Sequence, residues 1–313
     1  MKPHRRNLML CLLLLFAGIA GAQKTEVQYL SGTDKDHTVL WGFFCTGGMN
    51  SNKWSTIQVP SQWEQQGFGA YNYGHDKPKN DEKGLYKYKF TVPKQWKSKK
   101  VQIVFEGSMT DTEVKINGKL AGSIHQGAFY QFKYDISNLL DFKKENLLEV
   151  TVSKESANES INRAERIADY WVFGGIFRPV YLEATPETSI ESVAIDAKAN
   201  GLFYMDVFVQ NSTKKNSLEA QIQTLDGKKV GELLRADAPT DPEKYVVKGT
   251  ITNPKLWNPE DPNLYQVVVQ MKKGKTVTHQ YTQKFGFRTV ELRPADGFYV
   301  NGTKIMFRGV CRH

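Results

Sequence analysis

Apolar residues recur at every second position through much of this chain, and that period decides what it can fold into. In Tyr86-Lys87-Tyr88-Lys89-Phe90-Thr91-Val92, aromatic and aliphatic side chains alternate with lysine, the pattern of a strand with one buried and one wet face. Val101, Ile103 and Phe105 repeat it, Val114 and Ile116 run into the hairpin signal Asn117-Gly118, and Leu148, Val150 and Val152 follow. Val180-Tyr181-Leu182 closes the series. Earlier, residues 23–58 are irregular, with Trp41, Phe43 and Phe44 giving a first strand and Gly47-Gly48 a turn. Short strands at close spacing, with no sustained helical period, imply an all-β chain that begins with a jelly-roll sandwich of about eight strands over residues 23–185. The polar segment 155–167 reads either as a short helix or as a long excursion inside that domain.

Thr185-Pro186-Glu187-Thr188 is a polar, proline-containing junction that reads as a linker. Beyond it, Ile190, Val193 and Ile195, then Phe203-Met205-Val207-Val209, Ala220-Ile222-Thr224 and Tyr265-Val267-Val269-Met271 supply alternating positions for about seven strands. This predicts an immunoglobulin-like sandwich over residues 186–288. Its most distinctive loop is Trp257-Asn258-Pro259-Glu260-Asp261-Pro262, whose prolines keep it out of a sheet interior. In the remainder, 289–313, residues 298–305 read as a hairpin and 306–310 as one buried strand.

The chain's 313 residues, 40% of them hydrophobic, suffice for two cored domains, and 12% aromatic content excludes a disordered polymer. Lys2, Arg5 and Arg6 precede an apolar run from Leu8 to Ala20 that ends in Ala20-Gly21-Ala22. That order is a secretory signal peptide over residues 1–22, and the run is too short for an ordinary membrane span. The expected product is exported, to the periplasm or the extracellular space, with no membrane attachment after cleavage. Removing the leader takes three positive charges from the formal +9. The other lysines are scattered along strands and turns as a solvated face, so no nucleic-acid groove is expected. Cys45 and Cys311 fall in different expected domains and are read as two unjoined thiols. Two cysteines give no disulfide framework and no metal spacing.

One stretch stands apart: Asp169-Tyr170-Trp171-Val172-Phe173-Gly174-Gly175-Ile176-Phe177-Arg178-Pro179-Val180. Adjacent glycines allow positive backbone angles and close chain approach, so the aromatics before them can turn away from the strand after them. A bent core strand with buried aromatics would use the same residues.

Gly175-Ile176-Phe177-Arg178-Pro179-Val180 resembles the signature that closes the first domain of glycoside hydrolase family 2. Trp54 followed by Ile57-Gln58-Val59-Pro60-Ser61-Gln62-Trp63-Glu64 resembles that family's entry motif, in a form most similar to its β-galactosidase branch. Phe105-Glu106-Gly107, Val114-Lys115-Ile116-Asn117-Gly118, Phe132-Lys133-Tyr134-Asp135-Ile136 and Asn263-Leu264-Tyr265 follow in the family's order. Residues 298–313 resemble the opening of its catalytic (β/α)8 barrel, which needs about 250 residues.

The resemblance implies a retaining glycosidase acting on an oligosaccharide or glycoside, in which two carboxyls about 5–5.5 Å apart act as acid and nucleophile. In the family both lie on the barrel, so no catalytic residue is assigned here, and this chain is expected to be inactive alone. Glu106, Glu113 and Glu149 read as solvated strand-face carboxylates. Asp169, with Trp171 two residues on, matches the place where the first domain reaches the barrel. There the resemblance to the β-galactosidase branch implies a sugar contact and a ligand to a monovalent cation, the carboxylate accepting from hydroxyls while the indole covers C–H faces. Capping of a turn is the other reading of Asp169. His313 matches a barrel histidine that faces substrate, although Cys311 stands where asparagine is frequent. His75, in a glycine- and aromatic-rich loop, lies either near a sugar or simply in solvent. No cofactor is assigned, and the resemblance allows a monovalent or divalent cation in the complete enzyme. A homo-oligomer is also allowed. The competing classes are a non-catalytic carbohydrate-binding protein and a purely structural pair of sandwiches.

Overall fold

The computed structural model describes residues 24–77, 81–236, 241 and 243–310. The expected signal peptide, Cys311 and His313 lie outside them. The described chain is two β-sandwiches in series followed by a small three-stranded sheet, and among the described residues no helix is long and apolar enough to cross a membrane.

The first sandwich, a jelly roll, packs a four-stranded sheet ordered Glu26–Tyr29, Val180–Thr185, Lys100–Phe105, Phe132–Asp135 against a six-stranded one. The latter runs Trp54–Val59, Val39–Cys45, Lys83–Phe90, Asn146–Ser153, Asp111–Ile116, Lys119–Leu120. Alternation is the reason for the core. The cross-strand row Phe43, Tyr86, Val150 and Val114 is buried, while the lysines between these positions stay wet. Counting the ribbon formed by Asn72–Tyr73 and Trp171–Val172, this unit has twelve strands rather than about eight. The additional ones include pieces too short to show a period, and the edge strand Glu26–Tyr29, whose outward Val27 and Tyr29 are exposed. Cys45 is a free, buried thiol that donates to the Gly47 carbonyl.

The two sandwiches are joined by only three residues, 186–188, between Val180–Thr185 and Ser189–Ala197. The second sandwich is immunoglobulin-like: Ser189–Ala197, Leu202–Gln210 and Lys244–Thr250 face Leu234–Arg235, Asn216–Thr224, Tyr265–Lys273 and Thr276–Phe285. Its core is the inward set Phe203, Met205, Val207, Val267, Val269, Met271 and Phe287. The Trp257 loop ties this unit to the terminal sheet: Trp257 N donates to Phe287 O, Asn301 Nδ2 donates to Trp257 O, and Arg288 lies over the indole.

The terminal sheet contains the expected hairpin, Gly297–Val300 with Thr303–Ile305, and a third strand, Val290–Arg293. The buried strand expected over 306–310 is not there. Those residues form no strand, and Met306, Phe307 and Val310 are exposed. Apolar composition marked the segment as core, but a buried strand needs a sheet neighbour on each side, and the described residues place none beside it.

Candidate carbohydrate site

The Asp169 stretch is held by the entry motif found more than a hundred residues earlier. Ser61 N donates to Ile176 O and Trp63 N to Gly174 O, so 61–63 and 174–176 run as paired chains. Both glycines are required, for different reasons. Gly175 has φ +124°, and a Cβ there would meet the Ser61 carbonyl at 2.7 Å. Gly174 has no positive φ, but a Cβ would come 2.0 Å from Cζ2 of the buried Trp63 ring.

Beneath this pair lies an ion cluster of fully buried charges. The Lys154 ammonium sits 2.8 Å from Glu64 Oε1 and 3.0 Å from Glu82 Oε1, and also donates to the Ala70 carbonyl. Both Glu64 oxygens accept from Gly174 N, and Glu82 accepts from Ala70 N. Burial pushes the Glu64 carboxyl above its ordinary pKa, against the opposing pull of Lys154. The cluster thereby fixes the turn at Ala70, the glycine pair and the end of the central strand Asn146–Ser153 relative to one another. Although two carboxylates converge here, no solvent reaches them, so they are not an acid–nucleophile pair.

The segment between Ser153 and Trp171 contains both things its sequence suggested, a short helix and an excursion that delivers Asp169. Asp111 anchors its base by accepting from Ser156 Oγ and Ala157 N. Asn158 caps the helix Glu159–Glu165 by accepting from Ser160 N. The buried Arg166 then donates to Phe173 O, and Tyr170 OH donates to Glu165 O, folding the tip back on its own base.

At the tip, Asp169 and Trp171 are exposed, the indole at 51%. Trp171 pairs in register with Tyr73, and the Tyr71 and Tyr73 rings meet its edge at 6.0 and 5.6 Å. Tyr71 also contacts Phe173. Gly74 permits the approach of the two loops: its N–H donates to Tyr170 O, and a Cβ there would lie 2.0 Å from Ala168 O. His75 Nε2 is 3.2 Å from Asp169 Oδ1, both side chains more than half exposed. The result is an open hollow of about 650 Å³ lined by Tyr73, Asp169, Tyr170, Trp171 and Phe173.

Of the residues singled out from sequence, Asp169, Trp171 and His75 come together; His313 is outside the described residues. Tyr71 and Tyr73 had not been proposed as site residues. Their signal is a tertiary one, since Tyr73 finds Trp171 across the short ribbon. Glu113 pairs with Lys115 and Glu149 with Lys87, as strand-face carboxylates do. Among the described residues no group of three His, Cys, Asp or Glu is placed to hold a metal.

A hollow with one carboxylate, an exposed indole and half-buried aromatic walls suits a polyhydroxylated ligand. The family model described as "Glycosyl hydrolases family 2, sugar binding domain" matches residues 48–186, which contain every residue of this hollow, and the model "Glycosyl hydrolases family 2" matches residues 184–288. The β-galactosidase of Thermoanaerobacter pseudethanolicus is 31% identical over 242 residues, 73% of this chain and 31% of that protein. A β-glucuronidase of Bacteroides fragilis is 27% identical over 278 residues, covering 82% of this chain and 38% of its own. Among solved structures, a Bacteroides uniformis β-glucuronidase superposes with a TM-score of 0.69 at 24% identity, over 92% of this chain and 35% of that one. That last likeness speaks for the fold. The chain spans about a third of the length of the curated relatives it matches.

Proposed function

Because the chain belongs to glycoside hydrolase family 2, we propose that it is the N-terminal part of an exported, retaining β-galactosidase-like enzyme. In this reading residues 1–22 are the leader that directs export, and the first sandwich contributes a sugar contact to an active site completed elsewhere in the whole protein. The single observation that carries it is the tip of the excursion: Asp169 presented beside the exposed Trp171 on a foundation of buried charge and close-packed glycine.

Each part of that tip has a task. The Asp169 carboxylate accepts hydroxyl hydrogens, with charge-assisted bonds worth about 1.5–3 kcal/mol each. The Trp171 indole covers the C–H face of the ring. His75 restrains the carboxylate at 3.2 Å. A negatively charged acceptor favours a neutral galactoside over a uronic acid, whose own carboxylate it repels. Acid and nucleophile are assigned to other residues of the whole protein. Of the carboxylates described here, Glu64 and Glu82 are sealed on Lys154, while Glu113 and Glu149 are paired with surface lysines.

The test is steady-state kinetics of the whole protein with aryl β-galactoside and aryl β-glucuronide, as wild type and Asp169→Ala. The expected result is preference for the galactoside and a loss of tenfold or more in kcat/KM for the variant, with unchanged thermal stability. Wild-type kinetics in Asp169→Ala would refute the sugar-contact role, and preference for the glucuronide would refute the substrate assignment.

A further inference from the structure

A second cleft, away from the aromatic hollow, runs between the two sandwiches and has a volume of about 660 Å³, within the range of small-molecule sites. One wall is the outer face of the four-stranded sheet, where Glu183 and Gln102 are neighbours in register, with Gln131 and Lys133 at its end. The other wall belongs to the second sandwich and carries Glu191, Gln280 and Tyr281.

Two bridges hold the walls apart at fixed spacing. Lys133 pairs with Glu191 at 3.2 Å, and Lys100 Nζ donates to Gln210 Oε1 at 2.6 Å. A third contact closes the junction: His279 Nδ1 accepts from Ile190 N, and its Nε2 faces Thr25 Oγ1. A cleft braced in this way binds without paying to order its walls.

Inside it, hydrogen-bonding capacity is left over. Glu183 and Gln102 are both half-buried, and neither side chain makes a hydrogen bond within the described residues. Burial raises the Glu183 pKa despite the nearby Lys133. Both groups line the cleft and remain open to water, and a ligand that supplies both donors and acceptors would replace that water with direct hydrogen bonds. The mixture of charges restricts its class. Glu183 and Glu191 oppose an anion, Lys24 and Lys133 oppose a cation, and the polar walls suit no apolar ligand. Planar carboxyl and amide groups side by side match vicinal hydroxyls, and the Tyr281 ring offers a face to C–H groups.

We propose that this interdomain cleft is a second binding site, for a neutral oligosaccharide, independent of the Asp169 hollow. Neither the walls nor the braces include a residue of that hollow, so the two sites succeed or fail separately.

The experiment is 1H–15N NMR of the chain titrated with galactobiose, cellobiose and laminaribiose, and with a hyaluronan disaccharide as the acidic counterpart. The glutamine side-chain amides report the cleft and the Trp171 indole N–H reports the hollow. The expected result is that at least one neutral disaccharide shifts the Gln102 and Gln131 amides saturably, while the acidic sugar does not. Glu183→Gln, which preserves shape, and Gln102→Ala should each weaken that response by about tenfold and leave any Trp171 response unchanged. Absence of a cleft response to every neutral sugar at millimolar concentration would overturn the proposal, as would a response indifferent to both variants. A response at Trp171 alone would refute the cleft and spare the sugar contact at Asp169; a response at the cleft alone would support the cleft, while the contact at Asp169, made in an active site completed elsewhere, stands or falls by the kinetics of the whole protein.

Discussion

Gly174 lies against the Trp63 indole so closely that a Cβ on it would sit 2.0 Å from Cζ2. This contact locks the entry motif to the glycine pair that ends the aromatic stretch, and it therefore sets where Asp169 and Trp171 are presented. A side chain at this position has no room, because the ring it meets is fully buried among core residues.

Gly174→Ala is accordingly expected to destabilise the first sandwich by about 1–3 kcal/mol or more through overpacking. The control is Gly309→Ala, where a Cβ meets nothing within 4 Å and φ is not positive, with an expected change within about 0.5 kcal/mol. Urea unfolding followed by tryptophan fluorescence measures both, and equal midpoints for the two variants would contradict the packing argument.

Lys154→Met tests the buried charge cluster. Removing the ammonium leaves Glu64 and Glu82 facing each other without compensation in a site closed to solvent, at an expected cost of about 3–5 kcal/mol. Replacing Glu64 as well, as Lys154→Met/Glu64→Gln, should recover part of the loss by removing one unpaired charge. Chemical denaturation of the three proteins would decide it, and additive losses would be the contrary result.

His279 makes the junction between sandwiches sensitive to acid. Burial, with Lys99 nearby, lowers its pKa to about 4, below the unfolded value of about 6.5. The unfolded chain therefore binds the proton more readily between those values, and stability falls as pH drops from about 6.5 to about 4. Protonation also sets a second N–H against Ile190 N, which now donates to Nδ1. Glu64, with its raised pKa, acts in the opposite direction, so the comparison is with His279→Gln in the same buffers. Relative to that variant, wild type should lose roughly 3 kcal/mol across the window. Parallel stability curves for the two proteins would contradict the assignment.

The two sandwiches were legible because alternation is a local signal: Tyr86, Val150 and Val114 each stand in a period-2 run, and burial follows from it. The edge strand Glu26–Tyr29 was missed because its four residues are too few to establish a period and their alternation is inverted, with apolar Val27 and Tyr29 exposed and polar Glu26 and Gln28 partly buried. Residues 306–310 erred the other way, since hydrophobicity marks what would be buried if a sheet neighbour stood beside it and says nothing of whether one does. At the candidate site, Asp169 and Trp171 stood out by their place before the glycine pair. Tyr71 and Tyr73 did not, because their partner lies about a hundred residues away. The Glu64–Lys154–Glu82 cluster was invisible for a different reason. Charged residues in a β-rich sequence read as surface, and only the approach of three distant segments shows these to be core.

The central claim is that this chain supplies a sugar contact and leaves the acid and the nucleophile to other residues of the whole protein. It is tested most directly by assaying residues 23–313 with aryl β-galactoside, alone and linked to the remaining two thirds of a family 2 relative. The account predicts no turnover by the chain alone, turnover by the linked protein, and a loss of tenfold or more when Asp169→Ala is introduced into it. Turnover by residues 23–313 alone, abolished by a single Glu→Gln change in the first sandwich, would contradict it.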